Sequence, residues 1–212
     1  MMASDAWGGE ATRVLHFTHI DNLSTVAREG LQCDSTVQGS GLLLQEVGNQ
    51  DIKELRRRRR VPVPPGGVVA DYVPFYFAPR SPMMFAIHKG KVPTYQKGCD
   101  DVVYLVSTLG QLRAAGQPVL LTDRNATLAV AAFATDAGDL RIDWDLMGEA
   151  IWKNTDEYPD RREKRMAECL VHRLVEPNGI RALVTKTQAV ADRVGRLVGA
   201  TWPVYVRGGW YF

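Results

Sequence analysis

Three short segments of this chain carry the side chains best suited to chemistry. His16-Phe17-Thr18 closes a β-type run and sets an imidazole and a hydroxyl at a strand tip. Tyr76-Phe77-Ala78-Pro79-Arg80-Ser81-Pro82 holds one guanidinium between two prolines. Trp152-Lys153-Asn154-Thr155 leads through a basic loop to Ala167-Glu168, a lone carboxylate before an apolar run. A carboxylate can stabilise developing positive charge or take a proton. A guanidinium stays charged and forks onto oxyanions. Each segment also has a plainer role, as a core histidine, a surface-loop arginine or an edge charge, and only their joint presence points to a site.

Other chemistry is missing from the sequence. It has no G-x-G-x-x-G, no P-loop, no H-E-x-x-H and no G-x-S-x-G. His16 and His19 stand three apart with no matching Cys/His pair, so no metal site is expected. A nucleotide, if used, is held without the common glycine loops.

Charge adds a second theme. Arg56, Arg57, Arg58, Arg59 and Arg60 are consecutive, and residues 160–165 (DRREKR) add Arg161, Arg162 and Arg165. Five adjacent guanidiniums repel one another unless anions relieve them. The run therefore reads as a phosphate-contacting element with nucleic acid as partner, giving affinity without sequence choice.

The positioning elements follow from local pattern. Strands are expected at residues 14–18, 72–77, 102–107, 119–122, 140–146, 181–186 and 203–206. Helices are expected from Asp21 or Asn22 to Glu29, stopped by Gly30, from Pro82 to Ile87 or His88, and over residues 187–198. Residues 108–115 read as a helical turn, 125–134 as an Ala-rich helix and 152–164 as a loop. Residues 167–175 fit either a helix or a strand. Residues 38–67 form a long Gly- and Pro-containing, partly helical insertion in one domain spanning residues 1–212, and such segments are more often functional than accidental. The pattern is α+β.

The chain has 212 residues, 45% apolar and 24% charged, with 26 basic and 24 acidic residues and a net charge of +2. This suits one globular unit and excludes disordered and collagen-like chains. The longest apolar stretch, residues 128–134, is far short of the roughly 20 residues of a membrane-spanning helix. The start, MMASDAWGGE with Asp5 and Glu10, lacks a secretory pattern. Cys33, Cys99 and Cys169 make neither a disulfide framework nor a C-x-x-C pair, so a cytoplasmic location is expected and the sequons at Asn22 and Asn125 carry no weight.

Together, HFTHIDNL (residues 16–23), YVPFYFAPRSPMM (72–84), WKNTDEYPDRREKRMAECLVHR (152–173) and the aromatic C-terminus (210–212) resemble the DarT-type DNA ADP-ribosyltransferase toxins. The glycine-rich residues 38–44 and the arginine run depart from the pattern. The resemblance implies an ADP-ribosyltransferase-like fold, two small packed sheets flanked by helices with an NAD⁺ cleft between them. It implies transfer of ADP-ribose from NAD⁺ to a base of single-stranded DNA, most often thymine and in a related branch guanine, without a metal. A macrodomain antitoxin is the implied partner. By position, His16, Phe17 and Thr18 match the NAD⁺-gripping strand end. Gly30 and Leu31 wall the nicotinamide pocket, and Tyr76 stacks on nicotinamide. Arg80 and Glu168 match the catalytic pair, and residues 152–165 match the substrate-recognition loop.

The residue types suit that reaction. Breaking the nicotinamide–ribose bond passes through an oxocarbenium-like state, which Glu168 can stabilise. Thymine's imide nitrogen must lose a proton, which Glu168 can accept. Arg80 reads as an electrostatic clamp on the NAD⁺ diphosphate or on the base as it gains negative charge. Trp152 and Tyr158 are stacking platforms, Asn154 reads a base edge, and Arg161, Arg162 and Arg165 hold phosphates. Two other readings stay open: a superfamily enzyme with a guanine or RNA acceptor, and a non-enzymatic single-strand-binding module.

Overall fold

A computed structural model describes residues 8–212; Asp5 and the rest of the first seven residues lie outside it. Its strands are β1 (Arg13–His19), β2 (Leu31–Gln32), β3 (Tyr72–Tyr76), β4 (Val102–Thr108), β5 (Val119–Thr122), β6 (Phe133–Ala134), β7 (Glu168–His172), β8 (Leu174–Val175), β9 (Ala182–Thr185) and β10 (Val204–Val206). Its helices are α1 (Leu23–Glu29), α2 (Asp34–Val37), α3 (Gln50–Arg58), α4 (Pro82–His88), α5 (Leu109–Ala114), α6 (Trp144–Gly148), α7 (Arg161–Lys164) and α8 (Gln188–Val198).

Eight strands are ordered β10-β9-β4-β1-β3-β7-β5-β6, and β2 and β8 form a separate ribbon. The large sheet has a seam. β1 pairs with β4 along its whole length, Arg13↔Thr108 to His19↔Val102, and β3 with β7 from Tyr72↔His172 to Tyr76↔Glu168. Between them, β1 and β3 share one pair, Leu15↔Tyr76. Pro74 explains part of this. A strand residue's N–H and C=O point to the same side, and the Pro74 carbonyl faces β1, where His16 Nδ1 reaches it at 2.8 Å. The N–H that proline lacks would also have faced β1, so a proline inside this sheet is tolerated where the ladder opens. The two half-sheets are thus hinged at Leu15 and Tyr76 and splay apart beyond them.

One apolar layer runs under both halves, with Val14, Val73, Phe75, Leu105, Cys169 and Val171 packed beneath. The opposite face is covered in two patches. Leu15, Tyr104 and Val184 pack with Met84 and Ile87 of α4 and with Tyr211, while Tyr72, Leu120 and Leu170 pack with Val61, Val69 and Phe133. The seam lies between the patches.

Most expected elements form, and residues 167–175 resolve into β7 and β8, broken at Arg173 with φ 67. Two expectations fail. Residues 125–134 are not a helix, because side chains claim their backbone donors: Asn125 Oδ1 accepts from Thr127 N at 2.9 Å, Asp123 Oδ1 from Ala132 N at 2.9 Å, and Glu168 Oε1 from Ala126 N at 3.1 Å. Residues 140–146 are not a strand. Asp143 caps α6 by accepting from Leu146 N at 3.0 Å, and a helical turn starts there. The loop over residues 152–164 closes with the single turn of α7. Cys33, Cys99 and Cys169 are free and buried.

Gly30 ends α1 with φ 75 and ψ 175, a region nearly closed to other residues. A Cβ there would stand 2.6 Å from Leu174 Cδ1 and 2.8 Å from the Val175 carbonyl. Gly30→Ala is therefore expected to destabilise the fold by about 2 kcal/mol, read as a lower midpoint in chemical denaturation. An unchanged midpoint would contradict this conformation.

Candidate active site

The seam opens into a cleft of about 1170 Å³ of empty space, its open mouth included. His16, Phe17 and Thr18 of β1 line one wall, and Tyr76 of β3 another. Gly30 and Leu31 line it where β2 begins. The remaining wall comes from the 38–67 insertion. Asn49, Ile52, Lys53 and Arg56, spaced i, i+3, i+4, i+7, put one face of α3 on the cleft.

His16 is neutral in this setting. Burial pushes its pKa down to about 4, aided by the charges of Arg56 and Lys53 and opposed by its bond to Pro74. A carbonyl only accepts, so Nδ1 carries the proton and donates to Pro74 O, leaving Nε2 as an acceptor. A half-buried base with a lowered pKa stabilises the fold fully above its unfolded value near 6.5. That stability is lost as the pH falls through about 4. The loss is expected to reach about 3 kcal/mol between pH 7 and pH 4 and to vanish in His16→Asn. Equal pH dependence of the two proteins in urea titrations would contradict a neutral buried imidazole. Phe17 and Tyr76 stack beside it, with centroids 6.1 Å apart and planes 18° from parallel.

Glu168 begins β7 opposite Tyr76, so the two side chains share one face. It is 1% exposed. Its Oε2 accepts from Arg56 Nη1 at 2.8 Å and its Oε1 from Ala126 N at 3.1 Å. Its own N–H donates to Thr122 Oγ1 at 3.0 Å. Each carboxylate oxygen thus has one protein donor, and the two neighbours of Glu168, Arg56 and Tyr76, both line the cleft. Burial and the Glu168 charge push the Tyr76 hydroxyl far above the ordinary phenol range, so it is a hydrogen-bonding group and not an anion. Arg56 is 9% exposed, and its Nη2, also buried, meets no acceptor.

Asn22, expected only as a helix cap, does other work. Its side chain donates to Thr18 Oγ1 at 2.9 Å and to Gln45 O at 2.8 Å, and accepts from the N–H groups of Leu44 and Gln45 at 2.9 Å each. It ties the insertion to the β1 tip. Lys53 bridges Asp34 and Glu46, and Arg57 pairs with Asp34 at 3.3 Å, fixing α3 from the other side.

Several expected site residues are placed differently from what their sequence context suggests. The arginine run is not one solvent-facing phosphate strip. Successive helix residues turn by about 100°, so Arg56 points inward to Glu168, and Arg57 is engaged by Glu54 and Asp34. Arg58 pairs with Glu54 at 2.6 Å, and Arg59 donates to Ala129 O at 3.2 Å and lies over Phe133. Arg58 and Arg60 are exposed. The guanidinium partner of Glu168 is Arg56 and not Arg80. Arg80 lines a separate cavity with Arg13, Glu149 and Arg165. Arg165 is 3% exposed and donates to the carbonyls of Leu146 at 2.5 Å, Glu149 at 3.1 Å and Pro79 at 2.8 Å, so it stands in a cavity wall rather than on the open surface, with its Nε–H unused. Asn154 is spent within its own loop, donating to Pro159 O and accepting from Arg162 N at 2.8 Å. Arg161 pairs with Glu149 and donates to Ile151 O at 3.0 Å. Trp152 Nε1 donates to Arg80 O at 2.8 Å, which anchors the loop. Tyr158, 51% exposed, and Arg162 remain open to solvent. Among the described residues, no group of three or more His, Cys, Asp or Glu is placed to hold a metal ion. None of their helices is long and apolar enough to cross a membrane.

The fold built around this seam matches solved ADP-ribosyltransferase structures along nearly their whole length, and the chain falls in that class. Within it, the family model described as ssDNA thymidine ADP-ribosyltransferase, DarT, matches residues 15–212. The chain belongs to the DarT family. A DNA ADP-ribosyl transferase of Thermus sp. (strain 2.9) is 36% identical over 209 residues, covering 96% of this chain and 97% of the relative. The structure of Thermus sp. 2.9 DarT in complex with ADP-ribosylated ssDNA matches with a TM-score of 0.87 at 34% identity, over 95% of this chain and 96% of that one. The same protein in complex with NAD⁺ matches with a TM-score of 0.83 at 33% identity, over 96% and 99%. A Thermosipho africanus relative, 23% identical over 186 residues, covers 86% of this chain and 45% of its own length. Its name is DNA ADP-ribosyl transferase-DNA ADP-ribosyl glycohydrolase fusion protein.

Proposed function

We propose that this chain, an NAD⁺-dependent DNA ADP-ribosyltransferase, marks thymine in single strands, with Glu168 and Arg56 as its reaction centre. The observation that carries the reading is the buried Arg56–Glu168 pair beside the cleft, with Arg56 Nη2 left without an acceptor. A buried guanidinium with a spare donor is satisfied only when a ligand supplies one.

The cleft residues fit NAD⁺ as co-substrate. His16 Nε2 accepts from a ribose hydroxyl, and Tyr76 and Phe17 offer ring faces to nicotinamide. Glu168 stabilises the ribose carbon as the bond to nicotinamide breaks, and the leaving nicotinamide takes the bonding pair. The thymine imide nitrogen gives its proton to Glu168 and bonds that carbon. Arg56 holds the carboxylate in place and donates through Nη2 to the base as negative charge gathers on it. Arginine keeps its proton, so it is assigned no base role. Tyr158 stacks on a base beside the target, and Arg58, Arg60 and Arg162 meet phosphates.

Such an activity makes the chain a toxin. Its partner is a macrodomain antitoxin that removes the mark, a pairing supported by the transferase–glycohydrolase fusion among its relatives. The cytoplasm, where DNA and NAD⁺ meet, is the location that suits it.

Mass spectrometry of a mixed-sequence oligonucleotide incubated with protein and NAD⁺ tests this. One ADP-ribose on thymine is expected in single strands, with little on duplex, because a paired base must first be flipped out at a few kcal/mol. Labelling on guanine, or equal labelling of duplex, would overturn it.

A further inference from the structure

The second cavity is lined by Arg80, Arg165 and residues 147–150 among others, and shares no lining residue with the cleft. Arg80 and Arg165 each bury an Nε–H that no protein atom accepts. Arg165 is nine-tenths buried, and its other donors are spent on carbonyls. The nearby carboxylate, Glu149, is engaged by Arg161.

Arg80 is also held in an unfavourable backbone state. Its φ is 55, rare for a residue with a side chain. The conformation is fixed from both sides: Arg80 N donates to Tyr104 Oη at 3.2 Å, and Arg80 O accepts from Trp152 Nε1 at 2.8 Å. The guanidinium lies 4.5 Å from the Phe212 ring. Strain of this kind persists where the surroundings over-determine it, as at ligand clamps. Burial, with the Arg80 charge adding to it, pushes the Arg165 pKa down to about 10. Two facing cations with spare donors are relieved by an anion.

We propose that this cavity is a phosphate seat in which Arg80 and Arg165 hold one backbone phosphate of the DNA strand beside the target base. This rests on the DNA-acceptor reading above. Its walls favour the strand over the NAD⁺ diphosphate: residues 147–150 lead into the expected recognition loop, Arg165 ends it, and Trp152 of that loop bonds to Arg80. An occupied seat would tie the loop's position to the presence of DNA.

The test uses the full chain and single-stranded oligonucleotides with one neutral methylphosphonate linkage at each position around the target. One linkage is expected to weaken wild-type binding by about tenfold, the scale of a lost charged hydrogen bond. Arg80→Gln should weaken binding of the unmodified strand similarly and lower its salt slope by about 0.7, the value of one single-strand phosphate. It should show no further loss with the modified linkage, because both changes remove the same contact. NAD⁺ affinity, read by calorimetry, should be unchanged. Additive losses, or no sensitive linkage, would overturn the seat. A tenfold loss of NAD⁺ affinity with strand binding intact would assign the cavity to the diphosphate and overturn the strand assignment. Wild-type protein that labels no DNA would fail the functional reading itself, whereas labelling with no sensitive linkage fails the seat alone.

Discussion

Glu168→Gln is expected to lower ADP-ribosyl transfer by about 10³-fold, the scale at which a well-placed charge stabilises a transition state, with proton transfer lost as well. The amide keeps the shape and can still accept from Ala126 N, so local geometry survives. It lacks the negative charge that the ribose carbon needs and the basicity that the imide proton needs. NAD⁺ should still bind, because the other cleft walls are untouched. Folding should weaken, because Arg56 is left as a buried charge without its counter-ion. A kcat/KM within tenfold of wild type, measured on a single-stranded oligonucleotide, would remove Glu168 from the reaction.

Arg56→Ala should be the most damaging single change to stability and activity together. Removing one member of a buried pair costs about 3–5 kcal/mol, because the remaining charge loses its partner. Arg56→Lys separates the contributions. It keeps a positive charge near Glu168 and should recover most of the stability, but it cannot bond Glu168 and a ligand through two arms of a planar fork. Transfer by Arg56→Lys should therefore stay about 10²-fold below wild type while its denaturation midpoint lies close to it. Recovery of both would reduce Arg56 to a counter-ion. Loss of neither in Arg56→Ala would contradict its position.

Much of this site is legible in the residues. His16, Thr18, Tyr76 and Glu168 lie in short segments whose composition announces a strand tip or strand mouth, and β1, β3 and β7 bring them together. The identity of the guanidinium that meets Glu168 is less visible. Five consecutive arginines suggest one surface strip, but the turn of α3 sends Arg56 inward while Arg57 and Arg58 pair with Glu54, and only a contact 112 residues away in sequence shows which one faces inward. The spacing of Asn49, Ile52, Lys53 and Arg56 was the available sign, since it marks one helix face. The placement of Arg80 is hidden for a related reason: its prolines fix a loop, and the loop sets it in a second cavity with Arg165 and not among the residues lining the cleft. Pro74 held unused information, because a proline inside an apolar β-type run marks a place where a ladder can open. The failed helix over residues 125–134 is of another kind. Its backbone donors are taken by Asp123 and Glu168, which local propensity cannot register.

The most direct test of the reaction centre is a double-mutant cycle on transfer with Arg56→Lys, Glu168→Gln and the combined variant, read as kcat/KM on one oligonucleotide. If the two side chains act as a unit, the combined variant transfers no more slowly than Glu168→Gln alone, as for other catalytic groups that function together. A further loss in the combined variant as large as that of Arg56→Lys by itself would show two independent groups and contradict the pair.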